Sequence, residues 1–169
     1  ESVLNQKDSI MTALRSKVAE ALFSFQDDEL SVEMKNGKLY VSMEEKLLFK
    51  SGSFDVGDKG KDAIAKLAKV LELNPDIQIL IEGHTDNVPL NGASNLMIDN
   101  WDLSVKRATS IVRLLVQGSS IDPSRLTAAG RSKYLPVDTN ETTEGKQKNR
   151  RIEIILSPNL DELFELISK

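Results

Sequence analysis

Ile77-Gln78-Ile79-Leu80-Ile81-Glu82-Gly83-His84-Thr85-Asp86 is the stretch on which the fold turns. Its first five residues are mostly apolar and β-branched, the composition of a strand buried inside a sheet. It then changes to polar residues around one glycine. Upstream, Ala63, Ile64, Leu67, Ala68, Val70 and Leu71 form one apolar helical stripe from about Asp58, stopped by Asn74-Pro75. Downstream comes a long polar loop with Pro89, Gly92 and several asparagines. A second helical stripe follows (Val105, Ala108, Ile111, Val112 and Leu115), ending near Gly118. A strand between two helices predicts an α/β arrangement with helices packed on a sheet.

Further out, Leu30, Val32 and Met34 alternate with polar residues, and so do Leu39, Val41 and Met43. Asn36-Gly37 between them supplies the positive φ of a tight hairpin. Leu47-Leu48-Phe49 is a short apolar run, and Lys50 to Gly60 a glycine-containing loop without a phosphate-binding pattern. Arg125 to Gly130 reads as a strand, Ser132 to Lys148 as a polar loop and Arg151 to Leu156 as a last strand before Pro158. The whole is a two-layer α/β (α+β) sandwich of order βαβαββ with a mixed sheet, preceded by a helix and a hairpin. The helix carries Leu4, Lys7, Met11, Leu14, Val18, Ala21 and Phe25 at heptad spacing. That seam either packs on its own domain or pairs with a second chain to make a homodimer. The expected division is 1–27 for this helix, 28–157 for the main domain and 158–169 for an amphipathic tail with Leu160, Leu163, Phe164 and Ile167.

Composition narrows the function. The 169 residues suffice for one domain burying roughly 70% of its extended surface. Net charge is −4, from 22 basic and 26 acidic residues, which disfavours a general nucleic-acid binder. With no cysteine and one histidine, disulfides, thiol chemistry and Cys/His zinc sites are excluded. No run of about 18 apolar residues is present. The opening Glu1-Ser2-Val3 suggests a piece of a longer protein, with any signal, lipid-bearing cysteine or membrane helix upstream.

Functional groups in such sheets gather at strand carboxyl ends. Asp86 stands there, and the next helix opens with Asn100-Trp101-Asp102-Leu103-Ser104-Val105-Lys106-Arg107. If Asp86 and Arg107 flank one pocket, the carboxylate suits an ammonium and the guanidinium fork suits a carboxylate, so the pair fits an amino-acid head. The alternative is a structural salt bridge. His84 is either a loop-bonding histidine or a general base oriented by Asp86. Lys146, Lys148, Arg150 and Arg151 either hold a polyanion or are a solvated strand entrance. Trp101, the sole tryptophan, either caps the core or stacks on a ligand or sugar.

Gly83-His84-Thr85-Asp86, Asn100 to Ala108 and Asn149-Arg150-Arg151-Ile152-Glu153 together resemble the signature of the OmpA-like C-terminal domain family. Outer-membrane porin tails, peptidoglycan-associated lipoproteins and the stator protein MotB belong to that family. Phe49 with Gly52, Gly130 and Pro136 fit the same pattern, and the resemblance runs from about Leu39 to Leu156. It implies peptidoglycan binding without catalysis and without a cofactor. The ligand it implies is the diaminopimelate residue of the stem peptide. Asp86 resembles the residue that takes its ammonium and Arg107 the one that takes its carboxylate, with Thr85, Asn100, Leu103 and Arg151 lining the pocket. It implies a periplasmic domain of a Gram-negative envelope protein, tying the outer membrane or another envelope protein to the wall. The alternative is a MotB-type stator component anchoring an ion-driven motor, which the long Asn87–Asp99 loop favours. The tail after Pro158 is an addition to the common domain.

Overall fold

The computed structural model describes residues 2–26, 29–50, 52–90 and 96–167. The expected boundary at 27/28 and Gly92 of the long loop lie outside them. Helix α1 spans Val3–Ala21, and the hairpin is β1 (Leu30–Lys35) and β2 (Lys38–Glu44). A short helix α2 (Glu45–Leu48) leads to α3 (Asp58–Glu72), β3 (Ile77–His84), α4 (Asn100–Gly118) and β4 (Leu126–Gly130). Then come α5 (Thr143–Asn149), β5 (Arg151–Pro158) and α6 (Leu160–Ile167). The sheet order is β1-β2-β5-β3-β4, parallel only between β3 and β4. The expected two-layer, mixed-sheet class is what the chain adopts.

Three details differ from the sequence reading. Leu47 and Leu48 form a helical turn, and Phe49 makes only one bridge, to Val56. The leading strand is therefore β2 itself, so the hairpin belongs to the sheet. Within the 132–148 loop lies α5, a helix with no apolar stripe, capped by Thr142 accepting from the Gly145 amide. Pro158 closes β5 from inside the strand, opposite Ile77. Asn36 and Gly37 have φ of 52° and 76°, so the hairpin turn takes the left-handed backbone that this pair tolerates.

The helices cover one face of the sheet. Met11, Leu14, Val18 and Leu22 of the first helical segment are buried with Leu39, Val41, Met43, Ile152, Ile154 and Leu156 from the sheet. The heptad seam is therefore consumed within one chain. Leu4, at its start, is exposed, and no apolar stripe is left from Met11 to Phe25 for a second copy. The physical reason is that β1, β2 and β5 present an apolar face that some helix must cover. The Lys7 ammonium lies against Gly37, so α1 starts at the hairpin-turn end of the sheet. There too α6 leaves β5, where the Asn159 amide donates to the Asp76 carbonyl at 2.8 Å. Asp86 stands at the opposite end.

Two close approaches fix α4 and β3. A Cβ on Gly83 would lie 2.0 Å from the Ser104 carbonyl oxygen, and one on Gly130, its parallel partner, 2.4 Å from Val105 Cγ2. Helix α4 thus sits backbone-on-backbone on the strand ends, closer than any side chain allows. Below it, buried Arg125 donates to the Ile77, Leu71 and Asn74 carbonyls at 2.9, 3.0 and 2.7 Å. It caps α3 and holds the start of β3, and its burial lowers its proton affinity.

Val18→Asp is expected to lower the urea midpoint by an amount equivalent to about 3 kcal/mol, because it buries an unpaired carboxylate. Lys17→Asp, on the exposed side, is expected to be near neutral. A wild type that sediments as a dimer dissociated by Val18→Asp would contradict this packing. Gly83→Ala is expected to cost about 3 kcal/mol or more, since the backbone of α4 must move as a unit; an unchanged denaturation midpoint would contradict the close seat.

Candidate functional site

The site is assembled at the carboxyl end of β3. There the chain must leave the sheet beneath α4, and neighbouring segments tie it down. The Arg131 amide donates to the Gly83 carbonyl and the Thr85 amide to the Ser132 carbonyl, both at 2.9 Å. The Ser132 amide in turn donates to Ser104 Oγ at 3.2 Å, with Ser132 held at φ 53°. Asp86 then turns the loop, its Oδ1 accepting from the Val88 amide at 3.0 Å. Asn100, in the first turn of α4, donates to the Val88 carbonyl at 3.0 Å and stands 3.5 Å from the Asp86 carbonyl. Helix α4 caps its own start, the Asp102 amide donating to Asp99 Oδ1 at 3.1 Å.

Against this frame lie four charges of alternating sign. Asp86 Oδ2 accepts from Arg150 Nη1 at 2.7 Å. Arg150 Nε is 2.7 Å from Glu45 Oε2, an ion pair without hydrogen-bond alignment. Glu45 Oε1 accepts from Arg107 Nη2 at 3.2 Å. Arg107 Nε donates to the Ser53 carbonyl at 2.7 Å, and its Cζ stands 4.9 Å from the Phe49 ring centre. Asp86, Glu45 and Arg107 are buried. Burial lowers the proton affinity of Arg107, while the Glu45 carboxylate beside it works the other way. A guanidinium starts so high that it stays charged. The row Asp86–Arg150–Glu45–Arg107 is therefore neutral in sum and made of close pairs, the condition under which buried charges are tolerated.

Asp86 and Arg107 thus fall at one end of the sheet, joined through Arg150 and Glu45 rather than to each other. Thr85 is buried and donates from Oγ1 to the Asp86 carbonyl at 2.8 Å. Leu103 is buried on α4, and Asn100 clamps the Asp86 loop. Arg151 does not join the row. Its side chain lies on the other face of the sheet, donating to Glu153 Oε1, the Asn149 carbonyl and the Leu135 carbonyl at 2.7, 3.1 and 3.0 Å. Strand alternation explains this: once Ile152 faces the helices, Arg151 must face away. Arg150, just before the strand, takes the place expected of Arg151. The basic cluster is likewise divided, Lys148 pairing with Asp138 at 3.7 Å. Glu45 leaves no signal in the sequence, because its partners lie 62 and 105 positions away and ion pairs between segments have no period.

Neither Trp101 nor His84 plays the enzymatic or core part weighed for it. Trp101 is 48% exposed and does not cap the core. His84 faces Glu82, with Nε2 3.1 Å from Glu82 Oε1, while Asp86 is taken by Arg150, so Asp86 does not orient the imidazole. Arg131 donates to Glu82 Oε2 from both Nε and Nη2 at 3.2 Å. The His84 hydrogen bond, helped by Arg131 and opposed by burial, holds the Glu82 carboxyl below its ordinary value of 4.5. Folded Glu82 binds its proton less readily than unfolded Glu82. Its contribution to stability is therefore complete above about pH 4.5 and disappears as the pH falls through the lower folded value. The stability gap between wild type and Glu82→Gln, by urea titration, is expected to be present at pH 7 and to close in acid. A gap independent of pH would contradict it.

A family model described as the OmpA family matches residues 48–150. Motility protein B of Bacillus subtilis (strain 168) is 30% identical over 158 residues, which span 94% of this chain and 57% of that protein. Outer membrane protein Omp38 of Acinetobacter baumannii is 37% identical over 112 residues, 66% of this chain and 30% of that protein. The chain therefore spans little more than half of the first relative's length and less than a third of the second's. Among solved structures, the cell wall anchor of the T6SS from Pseudomonas aeruginosa is 33% identical with a TM-score of 0.75, covering 85% of this chain and 99% of that one. A MotB-like protein from Desulfovibrio vulgaris shares the fold at a TM-score of 0.84 and 21% identity, covering 93% and 99%. The chain belongs to the OmpA family, whose domains bind and anchor to peptidoglycan without catalysis.

Proposed function

We propose that this domain grips peptidoglycan through the diaminopimelate residue of the stem peptide, with Asp86 receiving the ammonium and Arg107 the carboxylate. The observation that carries the reading is the alternating row itself. A zwitterionic amino-acid head has the same alternation, and the two ends of the row are Asp86 and Arg107. In the free domain Arg150 and Glu45 neutralise those ends, so the ligand exchanges one set of ion pairs for another. Binding by exchange keeps the empty site stable and makes each engagement modest and reversible. Thr85 and Asn100 support the loop that carries Asp86, and Leu103 lines the pocket from α4. Salt weakens such binding wherever the row meets water, since screening acts over about 8 Å at physiological ionic strength.

Asp86→Asn is expected to reduce co-sedimentation with purified sacculi about tenfold or more. Arg107→Lys is expected to narrow the preference for diaminopimelate-containing over lysine-containing walls, because lysine lacks the second carboxylate. Variants that fold and pellet with both walls as wild type does would overturn the assignment.

What the domain ties to the wall has two readings: an outer-membrane or other envelope protein, or the ion-driven motor of a MotB-type stator. The second is supported by reach. The similarity to Motility protein B spans 94% of the chain, whereas that to Omp38 spans 66%. No described helix is long and apolar enough to cross a membrane, so either tether would lie outside these residues. Putting this chain in place of the matched residues of Bacillus subtilis Motility protein B and scoring swimming in a strain lacking that protein tests the stator reading. Restored motility supports it, and a stably expressed but immotile fusion counts against it.

A further inference from the structure

We propose that the exposed aromatic pair Trp101 and Tyr134 is a stacking platform for the pyranose rings of a glycan strand. Trp101 and Tyr134 are 48% and 61% exposed, and their ring centres stand 5.5 Å apart with planes inclined by 32°. Nothing in the core requires either ring: the buried positions of α4 are Asn100, Leu103, Ser104, Arg107, Ala108, Ile111 and Leu115. Both rings nevertheless ride on rigid backbone. Trp101 is in the capped first turn of α4. Tyr134 follows Ser132, which is tied to Thr85 on one side and Ser104 on the other. A sugar ring offers a face of C–H bonds carrying partial positive charge, and an aromatic face is negative, so the two stack while the hydroxyl rim stays wet. One face of Tyr134 carries the exposed Lys133 ammonium, a flexible group that can swing aside to meet that rim. Lys133 Nζ lies over that ring, 5.7 Å from its centre. Val105, one helical turn beyond Trp101, and Leu135 are both exposed and extend the apolar surface.

The platform adjoins the charged row. Asn100, next to Trp101, clamps the Asp86 loop, and Ser132, two residues before Tyr134, bonds Thr85. A stem peptide held at Asp86 is covalently joined to a sugar strand, so a second contact on the same polymer becomes intramolecular and raises total affinity. This inference rests on the wall-binding reading for the polymer it meets, but not on the roles given to Asp86 and Arg107.

Trp101 is the only tryptophan, so its emission reports this surface alone. Titration with a tetrasaccharide of N-acetylglucosamine, and with glycan strands stripped of peptide, is expected to shift and saturate that emission. Tyr134→Ala is expected to weaken glycan binding about tenfold, and Trp101→Ala, followed by calorimetry, likewise. Trp101→Phe is expected to restore part of it. Both positions are exposed, and melting temperatures are expected to stay at the wild-type value. Flat emission with both glycans, or unchanged glycan affinity in the folded alanine variants, would overturn the platform whatever Asp86 does. A normal glycan titration in an Asp86→Asn protein that also holds sacculi normally would overturn the diaminopimelate reading and leave the platform standing.

Discussion

Everything at the site depends on α4 lying directly against the ends of β3 and β4. Gly83 and Gly130, partners across the parallel ladder, leave room for the Ser104 backbone to touch the sheet. Any side chain at either place would lift the helix. Ser104 Oγ would then lose the Ser132 amide, Ser132 its hold on Thr85, and Asn100 its reach to the Asp86 loop. Arg107, less than one turn further along α4, would lose the Ser53 carbonyl and Glu45 together. The glycine of Gly83-His84-Thr85-Asp86 thus contributes no chemistry of its own. It sets the height at which the chemistry of four other segments meets.

On the proposed reading, the charges assembled there serve recognition more than stability. Taking a guanidinium and two carboxylates out of water costs several kcal/mol per ion, and close pairing does little better than return it. A chain under selection for stability alone would do as well with apolar side chains. An alternating neutral row, by contrast, is indifferent to a plain cation or a plain anion, because either one leaves its opposite partner stranded. A ligand that brings both signs at the right spacing leaves none stranded. Discrimination therefore comes from pairing, in keeping with a chain whose overall charge is only −4.

Much of this was legible in the sequence because it rests on local periodicity. The Asn36-Gly37 turn, the Ile77–Ile81 strand and the stripes of α3 and α4 each follow from a period and a stop signal, and their order yields the sheet. Asp86 and Arg107 were legible as candidates because a strand end and the next helix start must lie close. Glu45 and Arg150 were not: their pairing spans 105 positions, and nothing local distinguishes them from solvated charges. Helix α5 was hidden for the opposite reason, since it has caps but no apolar stripe. The heptad spacing of α1 was read correctly as a seam, but spacing does not reveal what covers it. That was decided by the unoccupied apolar face of β1, β2 and β5. Trp101 shows the same limit, since its type suggests burial and only the direction of its helix face shows otherwise.

The placement of α1 has a mechanical consequence. It begins beside the Asn36-Gly37 turn, while the charged row stands at the far end of the strands. A pull between a captured polymer and the start of α1 therefore runs lengthwise along the sheet. Backbone ladders loaded in that direction share the tension among all their rungs at once, whereas a sideways pull would unzip them one at a time. The packing of Met11, Leu14, Val18 and Leu22 would also be strained by sliding rather than by peeling. If the row holds a polymer and load enters at α1, the fold takes that load along its most resistant axis.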